Sequence, residues 1–227
     1  MRQKDDNKLK ASKFGSFFIF MKKVIFISFL LINLIVLGQQ QISKTIESDA
    51  PFIEFKTAGI DHLLIEESTT KKLEIIIIDA DFGILENVSC NDFNCVLSIT
   101  TNLKESSKLS SLKTSKAKAI IKIPKGRKVT VYGETININT NAYEGILRIL
   151  IKSGDINFQE IKGITEVELS TGTIYAMVND ASLDIKTRKG SIKFNEKVQK
   201  SPYRIKEHKD RRLIIKSSKA NVVLTKQ

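Results

Sequence analysis

Tryptophan is absent from this 227-residue chain, and cysteine, histidine, methionine and proline number only 2, 2, 3 and 3. Two cysteines exclude a disulfide-knot scaffold, and two histidines leave little material for a transition-metal centre. The 11 glycines follow no Gly-X-Y period and no heptad pattern runs through the chain, so collagen and coiled coil are excluded. No phosphate loop, nucleophile elbow or repeated Gly-Gly-x-Gly-x-Asp calcium turn occurs. Asp79-Ala80-Asp81 and the kinase-like triplet Asp81-Phe82-Gly83 lack their usual companions and read as the polar end of a strand. No catalytic, cofactor-binding or metal-binding residue is therefore expected, and no cofactor.

What the chain has is isoleucine, 33 of 227 residues, about one in seven. Such β-branched content with little proline favours strands over helices. Charged residues at 27% against 41% hydrophobic exclude both a disordered chain and a membrane-embedded helix bundle.

Residues 21–38 read as an export signal. Met21-Lys22-Lys23 precedes an apolar run at 24–37, broken only by Ser28 and Asn33, and Val36-Leu37-Gly38 offers a cleavage site. Fourteen residues are too few for a membrane span, which needs about 20. Residues 1–20 are an extended n-region or lie upstream of a true start at Met21. Residues 1–38 carry seven basic and two acidic groups, so cleavage after Gly38 leaves 30 basic against 23 acidic, a balance of +7 rather than +12. The expected location is the periplasm, the outer membrane or the cell surface. In such an oxidising compartment Cys90 and Cys95 form a possible disulfide closing a hairpin loop, the alternative being two free, buried thiols.

The mature segment, 39–227, repeats every eighteen residues. Gly154, Gly172 and Gly190 fall in one column, and Ile138, Ile156, Ile174 and Ile192 in another. Val131, Ile149, Val167 and Ile185 make a third, and Phe158, Ala176 and Phe194 a fourth. Within each unit apolar residues alternate, break at a small-residue turn, and alternate again, as in the strand pattern of period two. A fixed repeat of this length predicts an all-β, single-stranded, right-handed parallel β-helix (a β-solenoid) with coils of about 18 residues. The left-handed form would repeat apolar positions every six residues, which this chain does not; an antiparallel meander is the competing reading. The repeats are clearest at 129–200. A basic insertion at 195–212 is expected to project as a loop, and strands within 213–224 to cap the open end of the stack. Earlier strands are expected at 52–56, 63–66, 73–79, 96–100 and 119–123, with a long Ser- and Lys-rich loop at 103–118.

Phe52-Ile53-Glu54-Phe55, Leu73-Glu74-Ile75-Ile76-Ile77, Ile121-Lys122-Ile123-Pro124-Lys125-Gly126 and the Ser153-Gly154-Asp155-Ile156-Asn157 unit carry a resemblance. Across 52–224 the chain resembles the bacterial putative-adhesin family with β-strand repeats, including the head GIN domain group of exported Bacteroidetes-type proteins. The resemblance implies a right-handed parallel β-helix, an envelope location and no known enzymatic activity.

Function is accordingly expected from the lateral surface of a non-catalytic, adhesin-like binding or structural module. The candidate ligand-contact residues are Arg148, Glu166, Tyr175, Asp184, Arg204, Arg211 and Arg212. In the eighteen-residue register Arg148, Glu166 and Asp184 stack in one outward column, and Glu168 lies beside Lys186. Tyr175 lies between Asn157 and Lys193. The alternative is a carbohydrate-active β-helix enzyme, a polysaccharide lyase or hydrolase, using outward carboxylates such as Glu166 and Asp184; Glu166 and Glu168, roughly 6.6 Å apart along a strand, fall in the spacing used by inverting glycosidases. The partner is unknown, with envelope polysaccharide or another envelope protein as candidates. Nucleic acid is not expected, because basic residues are not interleaved with aromatics.

Overall fold

The computed structural model describes residues 41–78, 84–101 and 117–226. The signal-like segment at 21–38, residues 1–20, the Asp79–Gly83 cluster and most of the Ser- and Lys-rich stretch fall outside them. The described residues are all-β, with no helix among them. In chain order the strands are β1 (Gln41–Ile46), β2 (Phe52–Thr57), β3 (His62–Glu67), β4 (Leu73–Ile78), β5 (Ile84–Cys90), β6 (Asn94–Thr101) and β7 (Lys118–Ile123). There follow β8 (Lys128–Thr135), β9 (Asn137–Thr140), β10 (Ile146–Ser153), β11 (Ile156–Phe158), β12 (Ile164–Thr171) and β13 (Thr173–Met177). The last are β14 (Ser182–Thr187), β15 (Ile192–Phe194), β16 (Lys197–Gln199), β17 (Tyr203–Ile205), β18 (Arg212–Ser217) and β19 (Asn221–Thr225). The expected strands are all present. β1, β5, β16 and β17 were not anticipated.

The strands form one ten-stranded and one nine-stranded sheet, and from β8 to β15 the chain crosses between them strand by strand. One strand from each sheet makes a rung. The eighteen-residue step is a parallel pairing: Leu147 lies against Thr165, Ile149 against Val167, and Ile138, Ile156 and Ile174 in succession. An antiparallel meander is thereby overturned for the centre of the chain. Alternate residues face inward, and those of both sheets merge into one apolar cluster. Phe55, Ile149, Ile156, Ile174 and Val222 are fully buried, each contributing about 1.5–3 kcal/mol by leaving water.

Spatial order departs from sequence order at both ends. The β18–β19 rung pairs in parallel with β12–β13 on one side and with β14–β15 on the other. Residues 213–224 therefore do not cap the stack; they lie within it, and Val222 stands between Ile174 and Ile192. The basic insertion at 195–212 is the cap instead. Its β16 pairs antiparallel with β15 and its β17 with β14, so it does not project as a loop. The other end mirrors this exchange. The β2–β3 rung is inserted between β6–β7 and β8–β9, and antiparallel β5 and β4 cover the last parallel strands. The β18 segment carries the same alternation as its neighbours, so its register fits equally against either. Short antiparallel outer strands such as three-residue β16 and β17 also limit sheet-to-sheet association with other chains.

One corner of the rung is built by glycine. Gly154 and Gly172 have φ of +137° and +135°, and a Cβ on Gly172 would lie 1.9 Å from the carbonyl oxygen of Gly154. Ala220 occupies the next place in the column: a Cβ on Gly190 would lie 1.8 Å from its carbonyl oxygen. Polar side chains tie successive corners together. The Asp155 N–H donates to Asn137 Oδ1 at 2.9 Å, and the Thr173 N–H donates to Asp155 Oδ1 at 2.9 Å.

The opposite side is pinned by Tyr143, 5% exposed, whose hydroxyl donates to the Arg127 carbonyl at 2.8 Å. Burial pushes this phenol well above its ordinary range. In the unfolded chain it ionises near pH 10. Above that pH the unfolded state loses a proton that the native state keeps, so stability falls as pH rises. Tyr143→Phe is expected to flatten the alkaline limb of a stability–pH curve measured by urea unfolding, and to cost about 1 kcal/mol at neutral pH through the lost hydrogen bond.

Candidate binding surface

The outer face of the nine-stranded sheet carries most of the predicted contact residues. Arg148 lies beside Glu166 on the neighbouring strand, as the eighteen-residue register requires. Its guanidinium reaches both carboxylates of that rung, with Nη2 donating to Glu168 Oε1 at 3.1 Å and Nε 3.7 Å from Glu166 Oε2. All three side chains are over 40% exposed, so these pairs contribute at most about 1 kcal/mol each. They orient the face more than they stabilise it.

The inserted β18 changes the rest of the column. Ile214 stands between Glu166 and Asp184, and Lys216 between Glu168 and Lys186. The expected three-member column of Arg148, Glu166 and Asp184 is therefore broken, while Glu166 and Glu168 remain two residues apart on β12. Asp184 instead accepts a 3.0 Å hydrogen bond from Arg204 Nε on β17. Tyr175 lies on the other sheet. Its neighbours are Asn157, as expected, and Val223, which displaces Lys193 by one rung.

Asp184, Arg204 and Arg212 come together around a cavity of about 490 Å³ at the cap end. Leu183, Ile205 and Ile214 supply apolar lining, and Lys206 and Lys209 add positive charge. Arg212, Lys206 and Lys209 make no ion pair among the described residues. The loop that carries the lysines is fixed by Ser182 Oγ, which donates to the His208 carbonyl at 2.5 Å and accepts the N–H groups of Glu207 and His208 at 3.1 and 3.0 Å. Lys226 ties Glu207 from outside at 3.0 Å, and that hydrogen bond holds its ammonium above the ordinary lysine range. Arg211 is half-buried and outside the lining; its carbonyl accepts the Ser182 N–H.

A second recess, of about 270 Å³, opens at the far end of the same face and was not anticipated from the sequence. It lies under the β5–β6 turn, where Cys90 and Cys95 are joined by a disulfide. Within the turn Asn91 Oδ1 accepts the N–H groups of Phe93 and Asn94 at 2.9 and 2.8 Å. Phe93 is left 74% exposed, and neighbouring Phe52 46%. Lys128 Nζ lies 5.5 Å from the centre of the Phe52 ring. The available signal was an aromatic residue set among Asn and Asp between two cysteines, a position where a turn cannot bury it.

No group of metal-ligating side chains occurs among the described residues, and no described helix is long and apolar enough to cross a membrane. No protein-family model matches the sequence, and no curated protein does. The fold has a solved counterpart. A putative cell adhesion protein from Clostridium sporogenes superposes with a TM-score of 0.57 at 10% identity, over 84% of this chain and 100% of its own. At that identity the likeness is one of fold. A putative adhesin from Bacteroides fragilis aligns with 83% of this chain and 98% of its own at 12% identity and a TM-score of 0.35. One from Parabacteroides distasonis aligns with 83% and 97% at 11% and 0.23.

Proposed function

We propose that the protein is an exported, non-catalytic, adhesin-like binding module of the bacterial cell envelope, built on a right-handed parallel β-solenoid. The cap-end groove carries this reading. Arg204, Arg212, Lys206 and Lys209 surround an apolar floor, which suits a polymer bearing carboxylate or phosphate groups. Support for export comes from the apolar run at 24–37 behind two lysines and from the Cys90–Cys95 bond, which suits an oxidising compartment. The fold likeness to a protein named for cell adhesion points the same way. Against the enzyme reading, Ile214 separates Glu166 from Asp184, and Glu166 and Glu168 are both engaged by Arg148.

Purified mature protein is expected to co-sediment with lipopolysaccharide or an acidic polysaccharide at low salt and to release it at high salt. The Arg204→Ala/Arg212→Ala variant should bind at least about tenfold more weakly, as two lost charge contacts imply. Binding unchanged in that variant, or release of new reducing ends from the polysaccharide, would refute the proposal. Fractionation of the native cell should yield a product whose N-terminus is Gln39; a product retained in the cytoplasm and starting before residue 24 would remove the export reading.

A further inference from the structure

The outer face of the nine-stranded sheet holds a larger recess, of about 1020 Å³, that crosses β10, β12, β18 and β14 near their C-terminal ends. Lys152, Lys186, Arg188 and Lys216 line it, all exposed, and none of them makes an ion pair among the described residues. Glu168 is the single carboxylate of the lining, and Arg148 already holds it at 3.1 Å. Lys186 and Lys216 are direct register partners on neighbouring strands. Like charges placed opposite each other in a sheet are destabilising, and a further cation, Arg188, follows Lys186 two residues along the chain. The protein keeps this repulsion and supplies no counter-charge of its own, which marks the place where a bound anion does so.

We infer that this groove binds an acidic polysaccharide and forms, with the cap-end groove, one track for a single chain. Four unpaired cations select negative charge and concentrate it at the recess. Between Lys152 and Arg188 the lining offers Ser170 and Ser218, both exposed. A hydroxyl both donates and accepts, so these two serve the neutral hydroxyls of a uronic-acid chain while the cations hold its carboxylates. No aromatic ring lines the groove, so it lacks the stacking platform that single-stranded nucleic acid uses. From the Lys152 strand to the Arg188 strand is three steps, about 14 Å, longer than one sugar ring. One rim is fixed before binding: Ser201 Oγ donates to the Thr187 carbonyl at 2.8 Å and accepts the Thr187 N–H at 3.1 Å. Little backbone freedom is therefore lost when a chain settles there. The two grooves adjoin. A hollow of about 110 Å³ shares Ile214 with the cap-end groove, and Lys216 and Glu168 with this one. Its two carboxylates, Glu166 and Glu168, both face Arg148.

This inference rests on the cap-end reading for the class of polymer, and the test keeps the two apart. Binding of the mature protein to immobilised polygalacturonate at low salt is measured by biolayer interferometry, with neutral dextran as the control that should not bind. Lys186→Gln/Lys216→Gln is expected to weaken binding about tenfold while holding or raising the melting temperature, because it removes a like-charge pair. Lys152→Gln/Arg188→Gln should weaken binding as well, and Lys186→Arg/Lys216→Arg should bind as wild type does. Wild-type binding by both Gln variants beside weakened binding by Arg204→Ala/Arg212→Ala confines the polymer to the cap and overturns this site. Weakened binding in the Gln variants alone overturns the cap-end reading and keeps this groove. Tighter binding of oligothymidylate than of an oligogalacturonate with the same number of charges overturns the choice of polysaccharide. Absence of polygalacturonate binding overturns the site and leaves the cap-end groove to its lipopolysaccharide assay.

Discussion

Gly172→Ala is expected to lower stability by about 3 kcal/mol or more, which for a domain of this size lowers the melting temperature by on the order of 6–12 °C. Two effects combine. The φ of +135° is one that residues bearing a Cβ rarely adopt, and the new methyl would lie 1.9 Å from the Gly154 oxygen. That oxygen belongs to the backbone of the next rung and cannot turn aside as a side chain would. Gly126→Ala separates the two causes. Gly126 also has a positive φ, +81°, but nothing within 4 Å of its would-be Cβ, so only the backbone penalty of about 1–2 kcal/mol applies. Thermal unfolding followed by circular dichroism gives the comparison. Equal losses in the two variants would mean that close approach of the rungs plays no part.

Val222→Asp is expected to abolish cooperative folding. Val222 is wholly buried and lies between Ile174 and Ile192, so a carboxylate there is stranded in the apolar column. The penalty of several kcal/mol rivals the whole stability of a domain, about 5–15 kcal/mol. Val198, on the capping strand β16, is 72% exposed, and Val198→Asp should change stability by less than about 0.5 kcal/mol. Urea unfolding with limited proteolysis reads both. If Val222→Asp kept the parent midpoint and merely became clipped after residue 211, the C-terminal rung would be a detachable appendage.

These two valines show how far the sequence could be read. Both belong to apolar alternations near the end of the chain, and the eighteen-residue arithmetic groups residues 213–224 with the repeats correctly. It does not say where in the stack the unit goes. β18 forms the same parallel pairing with β12 as with β14, and nothing in its own pattern distinguishes an inner place from an outer one. The twelve residues separating Ala220 from its place in the arithmetic are the two cap strands and their connections, whose mixed charge disguised them as a loop. β1 escaped notice because an edge strand needs little apolar periodicity; its residues 42–45 are exposed.

The candidate surface was legible only where neighbours in the register are also neighbours in space. Arg148 and Glu166 meet as expected, whereas Asp184 is one rung too far because a segment from the far end of the chain intervenes. Its partner Arg204 lies within the twenty residues that follow it, yet the contact depends on β17 turning back antiparallel. Phe93 carries no periodic signal at all. A turn residue is placed by its loop, and the contact of Phe93 with its surroundings emerges only when strands distant in sequence are side by side.

The inserted rungs bear on how the molecule responds to mechanical load. A stack of repeats whose termini lie at its ends can be peeled one layer at a time. Here a pull on Lys226 acts first on β19, which is held by ladders on both flanks, and a pull from the N-terminal side, once β1 has left β4, acts on β2, held likewise between β6 and β8. Neither strand can be drawn out without rupturing two ladders together. Tension applied at the C-terminal side therefore meets the interior of the structure before it meets an edge, whereas tension from the N-terminal side first peels the edge strand β1 from β4 and only then meets β2.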